Sequence, residues 1–327
     1  ASASVSAMVI AAAATITTLW MVSETQVRLS VCSPSQQMEP ITRGTPHLRR
    51  YQTFSKVLGV GAHAKVVLGR DLETGRKVAV KCIRHRTGVD HANEVEVMRR
   101  IAASGGHDNV VRLLDVVEEP AQTLIVTELV PGEEMYSRLA REGPFPEFLA
   151  TKFARSLAQA LFFLHEQVGV AHCDLKPENV LFKDVDDSGE LKVCDFGSAH
   201  LLAMPQHEHS GGTYVYWAPE NFGQDPQTVK SDLAFGKEAD MFAFGCILYI
   251  CLYGVHPFDP WNDASEVEIC HRIQKGEWKF VDELSPYVSP LAKDLVIRLL
   301  EPDPKKRITA AQVMQHPWIH GIVNPMK

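Results

Sequence analysis

The feature that most restricts this chain is the string His172-Cys173-Asp174-Leu175-Lys176-Pro177-Glu178-Asn179, followed after two short strand-like runs by Asp195-Phe196-Gly197. Any one of these side chains could decorate a surface, but the whole string in this order does not arise by chance. Val180 to Phe182 and Leu191 to Cys194 read as the two strands of a hairpin, so a turn separates the two groups of polar residues.

Upstream, short β-branched runs at Lys65 to Leu68 and Lys77 to Lys81, with glycines at 59, 61, 69 and 75, predict an antiparallel meander from Phe54 to Lys81. Gly59, Gly61 and Ala64 lie in LGVGAHAKV, where missing or small side chains let backbone N–H groups approach phosphate oxygens; an ordinary glycine hairpin is the competing reading. Lys81 closes the alternating strand VAVK and therefore points to one defined face, where a surface lysine would not be so constrained. Glu94 falls on a helix expected over Ala92 to Ala103 and could hold the Lys81 ammonium. Further strands are expected at Val110 to Val117 and Leu124 to Leu129. Beyond Pro131 and Gly132 the pattern becomes helical, with long apolar helices over Glu147 to His165 and Ala239 to Tyr253.

In this order and company, the strings resemble the catalytic loop and D-F-G element of the eukaryotic protein kinase family, serine/threonine type. The resemblance implies a bilobal α+β fold with a small antiparallel-sheet lobe carrying one helix (51–130) and a larger, mainly helical lobe (131–320). It also implies ATP and Mg²⁺, with Mn²⁺ as a substitute, and transfer of the γ-phosphoryl group to a protein hydroxyl. Asp174 would orient that hydroxyl, Lys176 and Lys81 would meet phosphates, and Asn179 and Asp195 would hold the metal. The segment Gly212 to Glu220 resembles the end of an activation loop, with Thr213 a hydrogen-bonding partner of Asp174. Asp240 and Arg307 resemble buried anchors of the large lobe, Arg307 pairing with Glu220. Val66, Ala79, Met135 and Leu181 would sandwich adenine while also packing the core; Thr127 takes the gatekeeper position, and Glu128 and Leu129 the hinge. Glu134 matches an acid that contacts ribose or a substrate arginine, and Glu178 stands near a second basic-substrate position, although a solvated acid is the plainer reading of both. Lys176 with Thr213 is the serine/threonine pattern, and EPDPKKRITAAQVMQHPWI gives the look of the calcium/calmodulin-dependent group. No basic calmodulin-binding helix is visible after Trp318.

The sequence departs from that pattern at Cys173, where the family carries an arginine that pairs with a phosphorylated loop. The expectation is activity that does not require loop phosphorylation. Ser198, Ser210, Thr213, Tyr214 and Tyr216 remain as acceptors in the loop. His207 and His209 beside Glu208 lack a third ligand and read as a solvated loop, not a metal site. Cys173 and Cys194 read first as packing residues, with Cys194 a plausible target for an electrophilic ATP-site ligand. Asp184 to Gly189 imitates an EF-hand start, but its twelfth position is Asp195 and strands flank it, so a turn is preferred to calcium.

A net charge of −7 argues against nucleic-acid binding and makes basic proteins the more natural partners. Seven scattered cysteines without a C-x-x-C pair indicate neither disulfides nor zinc, and fit a reducing, cytoplasmic setting. Residues 1–50 read as an apolar leader and linker, and 321–327 as a tail. Val5 to Val22 is long enough to be weighed as a membrane anchor but has no basic residues before it, and a leader is preferred; the start at Ala1 is also compatible with a fragment. A catalytically silent, pseudokinase-like scaffold is the alternative to an active enzyme. The presence of Lys81, Glu94, Asp174, Asn179 and Asp195 favours activity.

Overall fold

The computed structural model describes residues 50–61, 64–85, 92–184, 189–203, 214–223 and 236–321. They fall into two compact units, a smaller one from the described residues up to Gly106 with Val111–Val130, and a larger one from His107–Val110 with everything from Pro131 onward.

In the smaller unit, β1 (Tyr51–Val60), β2 (Ala64–Asp71), β3 (Lys77–Arg84), β4 (Leu113–Glu118) and β5 (Gln122–Glu128) form an antiparallel sheet in the order β1-β2-β3-β5-β4. The two-residue period sorts its side chains onto two faces. Tyr51, Val67, Val78, Val80, Leu124 and Val126 pack one against another on one face. Ile83 and Ile125 pack on Val95 of helix α1 (Ala92–Ala103) on the other. Each such fully buried aliphatic side chain contributes roughly 1.5–3 kcal/mol. The β2–β3 turn is closed by Asp71, which accepts bonds from Glu73 N and Thr74 Oγ1, each at 3.0 Å.

The larger unit is built around α4 (Lys237–Tyr253), buried at every position from Ala239 to Tyr253. A helix apolar all round has no solvent face and so becomes the centre of its unit. Around it stand α2 (Met135–Glu142), α3 (Glu147–Phe162), α5 (Glu266–Lys275), α6 (Pro290–Leu299) and α7 (Ala310–Met314). Local chemistry starts several of them. Ser265 and Ser289 cap α5 and α6 by accepting from Glu268 N and Ala292 N, Pro290 takes the first turn of α6, and Thr309 with Gln312 makes a capping box on α7. Glu147 fastens three of these helices together, accepting from Ser289 N (2.8 Å), Ser289 Oγ (2.5 Å) and Trp318 Nε1 (2.7 Å). Two small antiparallel pairs, β6 (Val170–Ala171) with β9 (His200–Leu201) and β7 (Val180–Phe182) with β8 (Leu191–Val193), carry the polar strings.

The helix expected over Ala92 to Ala103 has those bounds, and the apolar run expected from Ala239 begins two residues earlier at Lys237. The helix expected to reach His165 stops being α-helical at Phe162 and continues as one π-turn from Phe163 to Val168, ended by left-handed Gly169 (φ 75°). The strand expected from Val110 begins at Leu113, because Asn109 and Val110 are held by the larger unit. Val193 N donates to Asn109 O at 2.9 Å, and Val110 bridges Val193. Val185 to Ser188, within the segment expected as a turn, and the whole segment 1–49 lie outside the described residues. Among the described residues no helix is long and apolar enough to cross a membrane.

Gly245 sits where α4 and α6 approach closest. A Cβ there would lie 2.8 Å from Leu300 Cδ2 and 2.9 Å from Leu299 Cβ. Gly245→Val is therefore expected to lower stability by about 1–3 kcal/mol through overpacking, read as a reduced midpoint in thermal or denaturant unfolding. An unchanged midpoint would show that the α4–α6 crossing is loose.

Candidate active site

In the smaller unit, Gly59 pairs with Val66 at the end of β1, and Gly61 N donates to Ala64 O at 2.9 Å. Neither glycine is needed for packing. Among the described residues, a Cβ at Gly59 would meet nothing within 4 Å, and one at Gly61 only Ala64 O at 3.8 Å. Their bare backbone suits the close approach of a ligand outside the fold. Across the sheet Val66 pairs with Lys81, Ala79 with Thr127, and Lys81 with Ile125, so Val66, Ala79, Lys81 and Thr127 lie on one face. Lys81 Nζ meets Glu94 Oε1 of α1 at 2.6 Å, which draws the ammonium to a fixed point above that face. Glu128 ends β5; its Oε1 accepts from Arg112 N at 2.8 Å and its own N–H donates to Arg112 O at 3.0 Å, leaving Leu129 to begin the exit from the sheet.

The larger unit holds the other polar strings. Asp240, buried in the first turn of α4, accepts at Oδ2 from His172 N and His165 Nε2 and at Oδ1 from Cys173 N, all at 2.8 Å. Burial alone would raise its pKa, but the His165 bond and the neighbouring His172 bring it below the usual carboxylate value, and the group stays charged. His172 bonds Cys194 O through Nε2 at 3.0 Å and accepts from Asp174 N at Nδ1, 3.4 Å, which assigns the proton to Nε2. Asp174 follows directly. Its Oδ2 takes Lys176 Nζ at 3.0 Å and Asn179 Nδ2 at 3.4 Å, and its carbonyl takes the same Asn179 nitrogen at 2.8 Å. Burial works to lower the Lys176 pKa, yet Asp174, Glu178 and Asp195 outweigh it and the pKa rises.

The β7–β8 hairpin brings its two ends together, and Cys194 N donates to Asn179 O at 2.9 Å. Asn179 and Asp195 are thereby neighbours although fifteen residues separate Asn179 from Cys194. The Asn179 amide nitrogen is committed to Asp174, so its oxygen is the atom that could hold a cation. Asp195 is exposed in left-handed backbone (φ 61°), an arrangement that costs a non-glycine residue about 1–3 kcal/mol. One amide oxygen and one exposed carboxylate form the lean protein set that Mg²⁺ accepts when phosphates and water supply the rest. Among the described residues no cluster of three His, Cys, Asp or Glu forms a fuller cage.

A protein kinase domain pattern matches residues 52–319. The chain belongs to the protein kinase family. This kinase is 35% identical over 305 residues to serine/threonine-protein kinase PKZ1 of Phytophthora infestans, covering 87% of this chain and 73% of that protein. It is 39% identical over 259 residues to calcium-dependent protein kinase 22 of Oryza sativa subsp. japonica, with 76% and 42% covered. It is 34% identical over 279 residues to calcium/calmodulin-dependent protein kinase type 1 of Caenorhabditis elegans, with 84% and 76% covered. The resemblance to serine/threonine kinases with a calcium/calmodulin-dependent look agrees with these relatives.

The residues expected from the sequence to serve the site divide between the units. Gly59, Gly61, Ala64, Val66, Ala79, Lys81, Glu94, Thr127, Glu128 and Leu129 lie in the smaller; Glu134, Met135, Asp174, Lys176, Asn179, Leu181 and Asp195 lie in the larger. Met135 is wholly buried, Leu181 half-buried. Thr213, His207, Glu208, His209 and Ser210 fall outside the described residues. Of the loop acceptors, Tyr216 is withdrawn into the interior and ceases to be a candidate, whereas Tyr214 is 37% exposed against Trp217.

Three residues, His165, His200 and Tyr136, escaped the sequence reading. His165 looked like one more residue of an apolar helix, and its bond to Asp240 spans 75 positions. His200 meets the Cys173 sulfur. Tyr136 and Tyr216 enclose an acidic pair, in which Glu178 Oε2 is shielded from solvent with no bond among the described residues. Burial first and then the Glu178 charge push Glu134 up to about 7 and Tyr136 up to about 12. Arg307 does pair with Glu220, at 2.6 and 2.9 Å, and its remaining donors go to the carbonyls of Glu238, Glu301 and Pro302.

A buried ion pair broken on one side leaves the other charge unmatched. Arg307→Met is accordingly expected to destabilise the kinase by about 3–5 kcal/mol, measured by denaturant unfolding. A loss below about 1 kcal/mol, the range of surface pairs, would mean that this pair is solvated.

Proposed function

We propose that this kinase transfers the γ-phosphoryl group of ATP to serine or threonine hydroxyls of protein substrates. The observation that carries the reading is the cluster of Asp174, Lys176 and Asn179, fixed to Asp240 from behind and joined to Asp195 by the hairpin. Both described contacts of the Asp174 side chain converge on Oδ2, so Oδ1 is assigned to the substrate hydroxyl, from which it takes the proton as the new P–O bond forms and the bond to ADP breaks. Lys176 steadies Asp174 and meets the transferring phosphoryl group. Lys81, aimed by Glu94, binds phosphate oxygens, and the bare backbone at Gly59 and Gly61 lies against them. Asn179 and Asp195 are assigned to the metal; Mg²⁺, when bound, neutralises charge on the phosphate oxygens. Val66, Ala79, Met135 and Leu181 are assigned to adenine, with Thr127 as gatekeeper and Glu128 and Leu129 as hinge.

The serine/threonine assignment is supported by the named relatives and by Lys176 with Thr213. Substrates basic near the target residue are favoured by the acidic pair Glu134 and Glu178, where a guanidinium would satisfy the shielded Oε2.

The decisive assay uses purified kinase, Mg²⁺, labelled ATP and a degenerate peptide library. Asp174→Asn is expected to lower kcat by about 10²- to 10⁴-fold with little change in nucleotide affinity. Wild-type protein that binds ATP but labels no peptide would move the reading to a pseudokinase-like scaffold.

A raised acid pKa means that Glu134 holds its proton to higher pH than usual. Below about pH 7 it is mostly neutral and attracts a cation poorly, and above that it is charged. KM for an arginine-containing peptide is thus expected to fall as pH rises from about 6 to about 8, with no such trend for the arginine-to-alanine peptide. Parallel profiles for the two peptides would remove Glu134 from substrate recognition.

A further inference from the structure

We propose that His200 is a positioning residue that holds the catalytic loop through Cys173, taking over by a neutral internal contact the place where the family resemblance implies an arginine read by a phosphorylated loop. The inference rests on the phosphoryl-transfer reading for its kinetic consequence, while the contact itself stands on geometry.

Cys173 precedes Asp174 and has left-handed backbone at φ 65°, which a non-glycine residue keeps only when its surroundings over-determine it. One constraint is the Cys173 N–H bond to Asp240 Oδ1 at 2.8 Å. The second is the side chain. Its sulfur lies 3.3 Å from His200 Nδ1 and also takes a bond from the His200 backbone amide. His200 stands on β9, directly opposite Ala171 of β6 in the two-stranded ladder, two positions before Cys173. The β9 strand in turn follows Asp195-Phe196-Gly197 after only two intervening residues. One side-chain pair therefore links the residue beside Asp174 to the strand that continues from Asp195.

The charge state of the sulfur follows from its surroundings. Cys173 is buried, and burial first, then the Asp240 and Asp174 carboxylates, keep it a thiol well above ordinary pH. A thiol can both donate and accept, so the contact to Nδ1 stands with either tautomer of the ring. The same surroundings make the sulfur a poor nucleophile, which removes redox sensing as its role. An arginine beside the catalytic aspartate would be a cation needing an external anion; a thiol bonded to the ring and the backbone amide of one histidine needs none. The loop geometry is set within the fold.

The test uses the full chain as wild type, Cys173→Ala, Cys173→Ser, His200→Ala and the Cys173→Ala/His200→Ala double variant, each before and after phosphatase treatment. Expected are wild-type turnover that survives dephosphorylation, kcat about tenfold lower in either alanine variant with KM for ATP changed less than about twofold, and a double variant no worse than the single ones. Cys173→Ser keeps a donor and should recover most of the loss. Single-variant losses that multiply in the double variant, or a Cys173→Ala kcat within about twofold of wild type, would overturn the proposal. So would wild-type turnover that collapses on dephosphorylation. If wild type shows no turnover at all, the functional reading fails separately. Amide hydrogen exchange then decides the contact, because faster exchange at 170–174 and 199–201 in Cys173→Ala but not in Cys173→Ser supports it and equal exchange rejects it. Should His200→Ala not fold, the Cys173 pair alone still gives both readouts.

Discussion

The Asp240 carboxylate is the constraint on which the larger unit depends. It is a charge buried in a helix with no polar face, and removing a carboxylate from water costs several kcal/mol unless hydrogen bonds replace the water. Three donors replace it, from the π-turn, from His172 and from Cys173. The relation is reciprocal, because without Asp240 two backbone amides and an imidazole would be buried with nothing to receive them. An apolar helix can therefore carry a polar loop at its N-terminal end, and the loop inherits the rigidity of the core.

That rigidity supports strain where it is useful. Cys173 and Asp195 are two of three described non-glycine residues with positive φ, and both stand at the chemistry. Left-handed backbone at Cys173 turns two consecutive polar groups in different directions, its amide into Asp240 and the Asp174 side chain toward Lys176 and Asn179. At Asp195 the same conformation leaves the carboxylate exposed while Phe196 is buried against His172 at 5.1 Å. His172 joins the two strained points, since one ring nitrogen serves Asp174 N and the other Cys194 O. A neutral imidazole can do both because it is a donor at one end and an acceptor at the other.

Much of this was legible in the sequence, and for identifiable reasons. The helix over Ala92 to Ala103 and the strands around Lys81 follow from periodicity, and Lys81 with Glu94 from residue types placed on those elements. Arg307 with Glu220 could be expected only through the family resemblance, since 87 residues separate them. What stayed hidden was of two kinds. The π-turn after Phe162 depends on how one helix is fitted to its neighbours, which no local propensity encodes. The partners of His165 and His200 depend on tertiary approach, and a single histidine in an apolar context looks like a core residue in either case. Cys173 was noticed as a departure, but its meaning required the residue on the opposite strand.

The electrostatics of the larger unit tie these features to the proposed chemistry. Glu134, Asp174, Glu178 and Asp195 all belong to this unit, and against the desolvation of Lys176 the charges of Asp174, Glu178 and Asp195 raise the lysine pKa. Such a collection repels a polyphosphate, so on the proposed reading cations must enter with the substrates. Hard oxygens at Asn179 and Asp195 suit a small divalent ion, whereas the shielded Glu178 and the protonatable Glu134 suit a diffuse organic cation that can be desolvated more cheaply. The two groups thus differ in hardness and burial, and the proposed function uses that difference to separate a metal from a basic side chain. Cys173 fits the same logic. A neutral thiol adds no further charge to a region already held together by balanced ones, and it leaves the response of the site to be set by what binds there.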